Sequence, residues 1–366
     1  MAHVLTAIAV MAGMAGLLAV LIIVADAVLL NYGECAITIN GEEPRVVQGG
    51  SSLLASLMAH DIFIPSACGG RGSCGLCKLK VLEGGGPLLP TEAPHLTKEE
   101  IAAGVRLSCQ VRVRSDMAIE VPEEILSVRE FTGRVSKIVE LNYDTRLLRI
   151  ELEEPAEMSF RAGQYVQIET PPYGKTAEPV YRAYSIATDP AETGAFELVI
   201  RRVPNGICTT YVFEIMKEGD PVTFNGPYGE FYLRDTDAEV LFIAGGSGIS
   251  PIRAILRRMA REGSMRKATF FYGANERRDL YMVEEMRALE EKIANFRYVP
   301  ALGRPAPDDG WDGETGLVTE VIDRHVPDAS AMEAYLCGSP GMIDACVKLL
   351  RSKGLTEDRI FFDKFA

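Results

Sequence analysis

The 366-residue chain is short of histidine, cysteine and basic charge, and each shortage removes a class of function. Its four histidines (His3, His60, His95, His325) stand far apart in sequence, which excludes a His-rich metal site. Eight cysteines are too sparse for a disulfide scaffold and fit a compartment in which thiols stay reduced. Lys and Arg number 38 against 51 Asp and Glu, a net charge of −13. The basic face that nucleic acid requires is therefore missing, and no nucleic-acid partner is expected. Charges of both signs are interspersed, as on an ordinary solvated surface; an acidic docking face for a basic partner is the other reading. There is no internal repeat and no low-complexity tract.

Lys and Arg are absent before Arg45, and residues Val4 to Ala25 form a run of 22 without any charge. A helix rising about 1.5 Å per residue crosses a hydrocarbon core of about 30 Å in that length. A secretory signal has a basic start and a shorter apolar core. Residues 1–31 are therefore read as a retained single-pass transmembrane anchor, with residues 4–30 in the bilayer; a cleaved signal is the alternative. Neither flank carries Lys or Arg, so the positive-inside rule gives no orientation.

Beyond the anchor the composition changes three times, which suggests a multidomain chain. Residues 32–125 read as a small β-rich domain with one helix: CAITINGEE alternates like a strand pair turning at Asn40-Gly41, and SSLLASLMAH is a short amphipathic helix started by serine. A strand over Lys78–Leu82 and another near Gln110–Arg114 follow. Residues 126–236 carry short strands broken by Gly and Pro at regular spacing, the pattern of a β-barrel. Residues 237–366 alternate buried strands (EVLFIAGG, ATFFYGA, AMEAYLCGS) with helices, as in an α/β domain with a parallel sheet covered on both faces.

Half of the cysteines are clustered. Cys68, Cys74, Cys77 and Cys109 follow the spacing C-x5-C-x2-C-x31-C, with four glycines inside CGGRGSCGLC. Four thiolates can hold a [2Fe–2S] cluster, a [4Fe–4S] cluster or zinc. A zinc ribbon would show two C-x2-C pairs, and a Rieske centre needs two histidine ligands. Glycines let the backbone wrap closely around sulfides. A remote fourth ligand in a β-rich domain points to [2Fe–2S], with zinc and no metal as the alternatives.

Further motifs suit nucleotide cofactors. Arg182-Ala-Tyr184-Ser185 lies on an expected barrel strand. It can give a flavin an aromatic cover, a hydroxyl near N5 and a positive charge for its phosphates; a plain cross-strand pair is the bland reading. Asn205-Gly206-Ile-Cys208-Thr209-Thr210 opens a helix with small polar residues, a place for a diphosphate, and Gly226-Pro227-Tyr228-Gly229 closes the barrel. Ala244 to Pro251 (AGGSGISP) links a buried strand to a helix, where glycines admit a pyrophosphate to the helix N-terminus. Cys337-Gly338-Ser339-Pro340 ends another parallel strand, where ligands of such sheets bind; Cys337 as a buried core thiol is the alternative. Glu276 follows the second parallel strand where a 2′-phosphate would sit, so NADH is expected over NADPH, with Arg277 and Arg278 beside it as the counterweight.

Taken together, from about residue 34 onward the chain resembles the F subunit of the Na+-translocating NADH:quinone oxidoreductase. The similar stretches include CGGRGSCGLCKLKVLEGGGPLLPTE, RLSCQV, RAYS, NGPYGEFY, AGGSGISPIRAI and CGSPGM. The resemblance implies an N-terminal transmembrane helix, a β-grasp [2Fe–2S] ferredoxin domain, an FAD-binding β-barrel and an α/β NAD-binding domain. It implies cluster ligation by Cys68, Cys74, Cys77 and Cys109. The flavin would be held by Arg182, Tyr184 and Ser185, with Gly206, Cys208, Thr209 and Tyr228 also on the FAD. Gly246, Ser247, Gly248, Pro251 and Cys337 would frame NADH, and Phe365 would cover the flavin face that nicotinamide must reach. Ser185, Cys337 and Phe365 would stand nearest the hydride transfer. The implied function is electron transfer from NADH through FAD and [2Fe–2S] to a membrane acceptor, with quinone reached through partner membrane subunits and Na+ transport as a coupled process. The implied place is the bacterial cytoplasmic membrane, with the redox domains in the cytoplasm. Two other functions compete: the reductase component of a multicomponent oxygenase, which uses the same domains, and a membrane-tethered redox carrier or sensor without NADH turnover, against which the Gly246–Pro251 and Cys337 motifs weigh.

Overall fold

The computed structural model describes residues 10–20 and 32–365. Residues 10–20 are helical and exposed. The rest of the expected anchor lies outside the described residues, and among those described no helix is long and apolar enough to cross a membrane.

The remainder divides into two compact units. The first runs to Ser66 and from Gly70 to Ser127; the second holds Ala67–Gly69 and everything from Val128.

In the first unit, β1 (Glu34–Ile39) and β2 (Arg45–Gln48) pair antiparallel. The turn between them places Asn40 at φ 52° and Gly41 at φ 77°, values that Asn and Gly tolerate best. The helix Leu53–Met58 is capped by Ser52, whose side chain accepts from the Ala55 amide. With β3 (Lys78–Glu83), β4 (Val105–Leu107) and β5 (Met117–Glu120) the sheet order is β2-β1-β5-β3-β4, and β1–β5 is its parallel pair. The strand expected near Gln110–Arg114 does not form. Val111 and Val113 are buried, so the alternation is real. The chain turns at Leu107–Val111, however, and the Val111 and Val113 carbonyls accept from the Leu53 and Gly50 amides while the Val113 amide donates to Ser51 O, in place of a neighbouring strand. Leu53, Leu57, Ile64, Leu79, Leu107 and Ile119 fill the core beneath.

The second unit opens with an antiparallel sheet of β6 (Arg129–Asn142), β7 (Thr145–Glu154), β8 (Tyr165–Thr170), β9 (Val180–Ser185), β10 (Ala195–Arg201) and β11 (Pro221–Tyr228). Its order is β10-β7-β6-β11-β8-β9, and a bridge between Ile186 and Leu198 joins the two ends. Val135, Ile150, Val166, Phe196 and Phe224 fill the inside.

A parallel sheet follows: β12 (Glu239–Gly245), β13 (Ala268–Ala274), β14 (Phe296–Leu302), β15 (Glu314–Thr315), β16 (Met332–Gly338) and β17 (Ile360–Lys364), ordered β15-β14-β13-β12-β16-β17. Alternate residues of β12 feed opposite faces. Val240, Phe242 and Ala244 pack toward the helices Ile249–Glu262 and Val283–Lys292, while Leu241 and Ile243 pack toward Val318–His325 and Pro340–Ser352. Burial of both faces explains the uninterrupted apolar run of this strand.

Candidate active site

None of the eight cysteines is in a disulfide, so four thiols remain available as soft donors. Cys77 precedes β3 and Cys109 follows β4. Because Lys78 pairs with Leu107, Cys77 stands opposite Ser108, and the Ser108 amide donates to the Cys77 carbonyl at 2.8 Å. The Cys77 and Cys109 thiols are hydrogen-bonding neighbours; that contact and burial push the Cys77 thiol far above its ordinary range. Cys74 lies in the same unit, and Cys68 lies on the Ala67–Gly69 segment assigned to the other. Among the described residues no group of three or more His, Cys, Asp or Glu side chains converges as a metal site.

The loop nevertheless suits a cluster. Gly70, Gly72 and Gly75 have φ of 81°, 74° and 70°, a conformation in which a Cβ is disfavoured and the chain can turn tightly. The Gln110 amide nitrogen donates to the Cys109 sulfur at 3.5 Å. The thiols of Cys74, Cys77 and Cys109, in one unit with this glycine-rich loop, carry the donor chemistry of an iron–sulfur centre.

A buried ion pair braces the approach to Cys109. Glu92 is fully buried and accepts from Arg106 Nε at 2.9 Å and Nη2 at 2.6 Å, and from the amides of Leu89 and Leu107. Arg106 spends its other N–H groups on the carbonyls of Gly85, Gly86 and Pro87. Burial alone would raise the Glu92 carboxyl, but Arg106 and the two amides outweigh it and hold it below the usual range. RLSC and PTE therefore meet in space, which neither stretch shows alone.

In the second unit, Arg182, Tyr184 and Ser185 lie on β9. The Cys208 thiol donates to the Val180 carbonyl at 3.5 Å, fastening the helix Ile207–Glu214 to that strand. Gly206 caps the helix; a Cβ there would press on the Thr209 hydroxyl, which bonds both the N–H and the C=O of Val203. Thr209 thus clamps the loop through its side chain and leaves its first-turn amide for a ligand. Burial, with the Cys208 thiol nearby, keeps the Tyr184 phenol neutral. Arg182 Nη1 donates to its neighbour's carbonyl, Tyr181 O, at 2.7 Å. Tyr228 is engaged within the barrel wall: its hydroxyl donates to Asn225 Oδ1 at 2.7 Å and its ring stacks on Tyr165. Lys175 Nζ donates to Thr210 Oγ1 at 2.9 Å, putting an ammonium beside the first turn of the helix. A lone lysine in a short loop gave no sequence signal.

Gly246–Gly248 form a tight turn between β12 and the helix Ile249–Glu262, with Gly246 at φ 56°. A Cβ on Gly248 would overlap the Cys337 carbonyl oxygen, so the turn lies directly on the end of β16. The Ser250 hydroxyl donates to the Ser247 carbonyl, and Pro251 fits the first helical turn, where no amide hydrogen is needed. Arg201, held by Asp144 at 2.8 Å, extends to within 3.4 Å of where a Gly246 Cβ would stand. It is a cation at the expected pyrophosphate turn that sequence reading missed. Cys337 is 0% exposed, and burial with the Asp363 carboxyl opposite raises its thiol well above the ordinary value. Phe365 is half-buried and donates its amide to the Gly338 carbonyl at 2.9 Å. Glu276 pairs with Arg278 at 2.9 Å, while Arg277 lies over Trp311.

Three family models match in succession: the 2Fe-2S iron-sulfur cluster binding domain over residues 37–114, the oxidoreductase FAD-binding domain over 132–232, and the oxidoreductase NAD-binding domain over 242–348. Among curated relatives, the F subunit of the Na(+)-translocating NADH-quinone reductase of Neisseria meningitidis serogroup C is 39% identical across 95% of this chain and 96% of its own. That of Idiomarina loihiensis is 38% identical across 95% of each. Among solved structures, the cytochrome P450 reductase GcoB of Amycolatopsis matches with a TM-score of 0.73 at 30% identity, over 90% of this chain and 98% of that one. The ferredoxin reductase in carbazole 1,9a-dioxygenase matches with a TM-score of 0.70, also at 30% identity, over 91% and 98%. On this full-length similarity, the chain belongs to the F subunit family of the Na(+)-translocating NADH-quinone reductase.

Proposed function

We propose that this chain is the NADH-oxidising subunit of an NADH:quinone oxidoreductase, moving electrons from NADH through FAD and [2Fe–2S] toward quinone. The observation that carries this reading is the succession of three cofactor modules within a chain that matches the reductase's F subunit along 95% of its length. When bound, the cofactors supply hydride acceptance and one-electron delivery; the protein supplies distance, orientation and potential.

Cys68, Cys74, Cys77 and Cys109 are the cluster donors. Arg182, Tyr184 and Ser185 hold the flavin, and the first-turn amides at Cys208 and Thr209, after Gly206, receive its diphosphate with Lys175 alongside. Tyr228 supports the barrel wall behind them. Gly246, Ser247, Gly248 and Pro251 form the nucleotide turn with Arg201 above it, and the end of β16 at Cys337 forms its floor. Phe365 closes the C-terminal strand over the same edge and shields the flavin face. Hydride transfer needs no acid–base pair, so the absence of a histidine from this set is no obstacle.

The uncharged run from Val4 to Ala25 supports a bilayer anchor over residues 4–30, within a domain division of 1–31, 32–125, 126–236 and 237–366. NADH is cytoplasmic, so the redox domains face the cytoplasm of a bacterial inner membrane and the N-terminus lies outside. Partner membrane subunits then carry electrons to quinone, with Na+ movement as their coupled process.

A second reading, the reductase component of an oxygenase, is favoured by the solved structures: one serves a cytochrome P450 and another carbazole 1,9a-dioxygenase. Mild-detergent purification of the tagged full chain separates the two. Co-purifying membrane subunits and NADH-dependent quinone reduction are expected. Recovery of the chain with an oxygenase and no quinone reduction would replace the first reading by the second.

A further inference from the structure

The turn that delivers Cys109 carries one side-chain donor to sulfur and one buried hydroxyl without a partner. Ser108 is 0% exposed, and its hydroxyl has no partner meeting hydrogen-bond geometry. Leaving a buried hydroxyl unbonded costs free energy, so such a group marks a site where something is to be received. Its position says what. Lys78 pairs with Leu107 in the antiparallel register, so the next pair outward is Cys77 with Ser108, tied by the 2.8 Å amide bond between them. Directly opposed residues of an antiparallel pair point to one face with Cβ atoms about 5 Å apart. The Ser108 side chain therefore stands on the same face as the Cys77 sulfur, next to it across the pair. One residue past Cys109, Gln110 Nε2 donates to the Cys109 sulfur at 3.5 Å. Thr91 donates to Gln110 Oε1 at 2.9 Å, which fixes the amide with its nitrogen toward sulfur.

We propose that Ser108 and Gln110 are positioning donors that set the reduction potential of the cluster, Ser108 through Cys77 and Gln110 through Cys109. This rests on the cluster reading above and adds to it the residues that tune the centre. Adding an electron increases the negative charge on the ligand sulfurs. A donor to sulfur therefore stabilises the reduced state more than the oxidised state and raises the potential. Because Ser108 is buried, water cannot take the place of its hydroxyl.

The test is an EPR-monitored potentiometric titration of the full chain with its cluster, comparing wild type with Ser108→Ala and Gln110→Leu. Removing either donor should shift the one-electron equilibrium about tenfold toward the oxidised form, about 59 mV to lower potential. The buried Ser108 should have the larger effect, and the FAD potential should not move. A shift below twofold in Ser108→Ala, about 18 mV, would overturn the assignment for Ser108, and the same limit applies to Gln110→Leu. Should Ser108→Ala fail to retain a cluster, the wild-type chain reconstituted in D2O decides: pulsed EPR of the reduced cluster should show a strongly coupled exchangeable deuteron lost on return to H2O. Its absence overturns the Ser108 contact. A wild-type chain whose reduced form gives no [2Fe–2S] signal would instead sink the cluster reading itself.

Discussion

Removing the Glu92 carboxylate should undermine the iron–sulfur domain more than any comparable surface change. Arg106 has five N–H groups and uses all of them: two on Glu92, three on the carbonyls of Gly85, Gly86 and Pro87. Glu92→Ala leaves that guanidinium, 9% exposed, without a counter-charge and strands the amides of Leu89 and Leu107. Breaking a buried pair from one side costs about 3–5 kcal/mol. Set against a stability of about 5–15 kcal/mol for a typical domain, that is a fifth or more of the total. Replacing both partners, as in Glu92→Leu with Arg106→Met, should cost less than Glu92→Ala, because no charge is left buried. Arg106→Lys should behave as a loss, since three donors on a flexible stem cannot span four acceptor residues. Urea titration of the full chain, followed by the visible circular dichroism of the cluster, measures each. The pH dependence adds a signature. Glu92 has a lower folded than unfolded pKa, so its contribution is complete above the unfolded value of 4.5 and is lost as pH falls through the depressed folded value. Glu92→Gln should therefore flatten stability in that acid range. A Glu92→Ala loss below about 1 kcal/mol, or a double variant as weak as the single, would refute the reasoning.

Asp363 should behave in the opposite sense. Burial raises its carboxyl from 3.8 to about 6, so the folded state loses stability as pH rises from the lower value to the higher, and the cost is complete above it. Asp363→Asn should stabilise the second unit at pH 7 and leave it unchanged at pH 3.5; equal melting shifts at both pH values would contradict this. For nucleotide choice, Glu276 should repel a 2′-phosphate, and Glu276→Gln should raise kcat/KM for NADPH several-fold with little change for NADH. Wild-type kinetics that already favour NADPH would show that Arg277 and Arg278 dominate the position.

Much of the fold could be read because its signals are local. The Asn40-Gly41 turn, the Ser52 cap and the two-faced apolar run of β12 each follow from a few adjacent residues. What escaped depends on distant partners. Val111 and Val113 alternate like a strand, yet their segment, leaving the turn at Leu107–Val111, bonds residues about 60 positions earlier in the chain. β14 was hidden by Pro300, which a strand accepts here because its outer neighbour, β15, is only two residues long. The site divides in the same way. Cysteine spacing and glycine turns are visible in sequence, whereas Lys175, Arg201 and the Glu92–Arg106 brace become visible only when separate elements meet.

The contact between Gly248 and the Cys337 carbonyl has a consequence for how variants of this chain are interpreted. A saturation screen scored on NADH oxidation would find position 248 intolerant of every side chain, and the pattern would look like contact with the dinucleotide. The obstacle is already present without one, because any Cβ strikes the backbone of β16. Such variants should lose thermal stability in parallel with turnover, whereas at Gly246 the nearest neighbour is the far end of the Arg201 side chain and the backbone cost comes from its φ of 56°, so Gly246→Asn, which tolerates that conformation, should lower nucleotide affinity with little loss of stability. Measuring abundance beside activity would thus sort two glycines two residues apart into an architectural position and a recognition position.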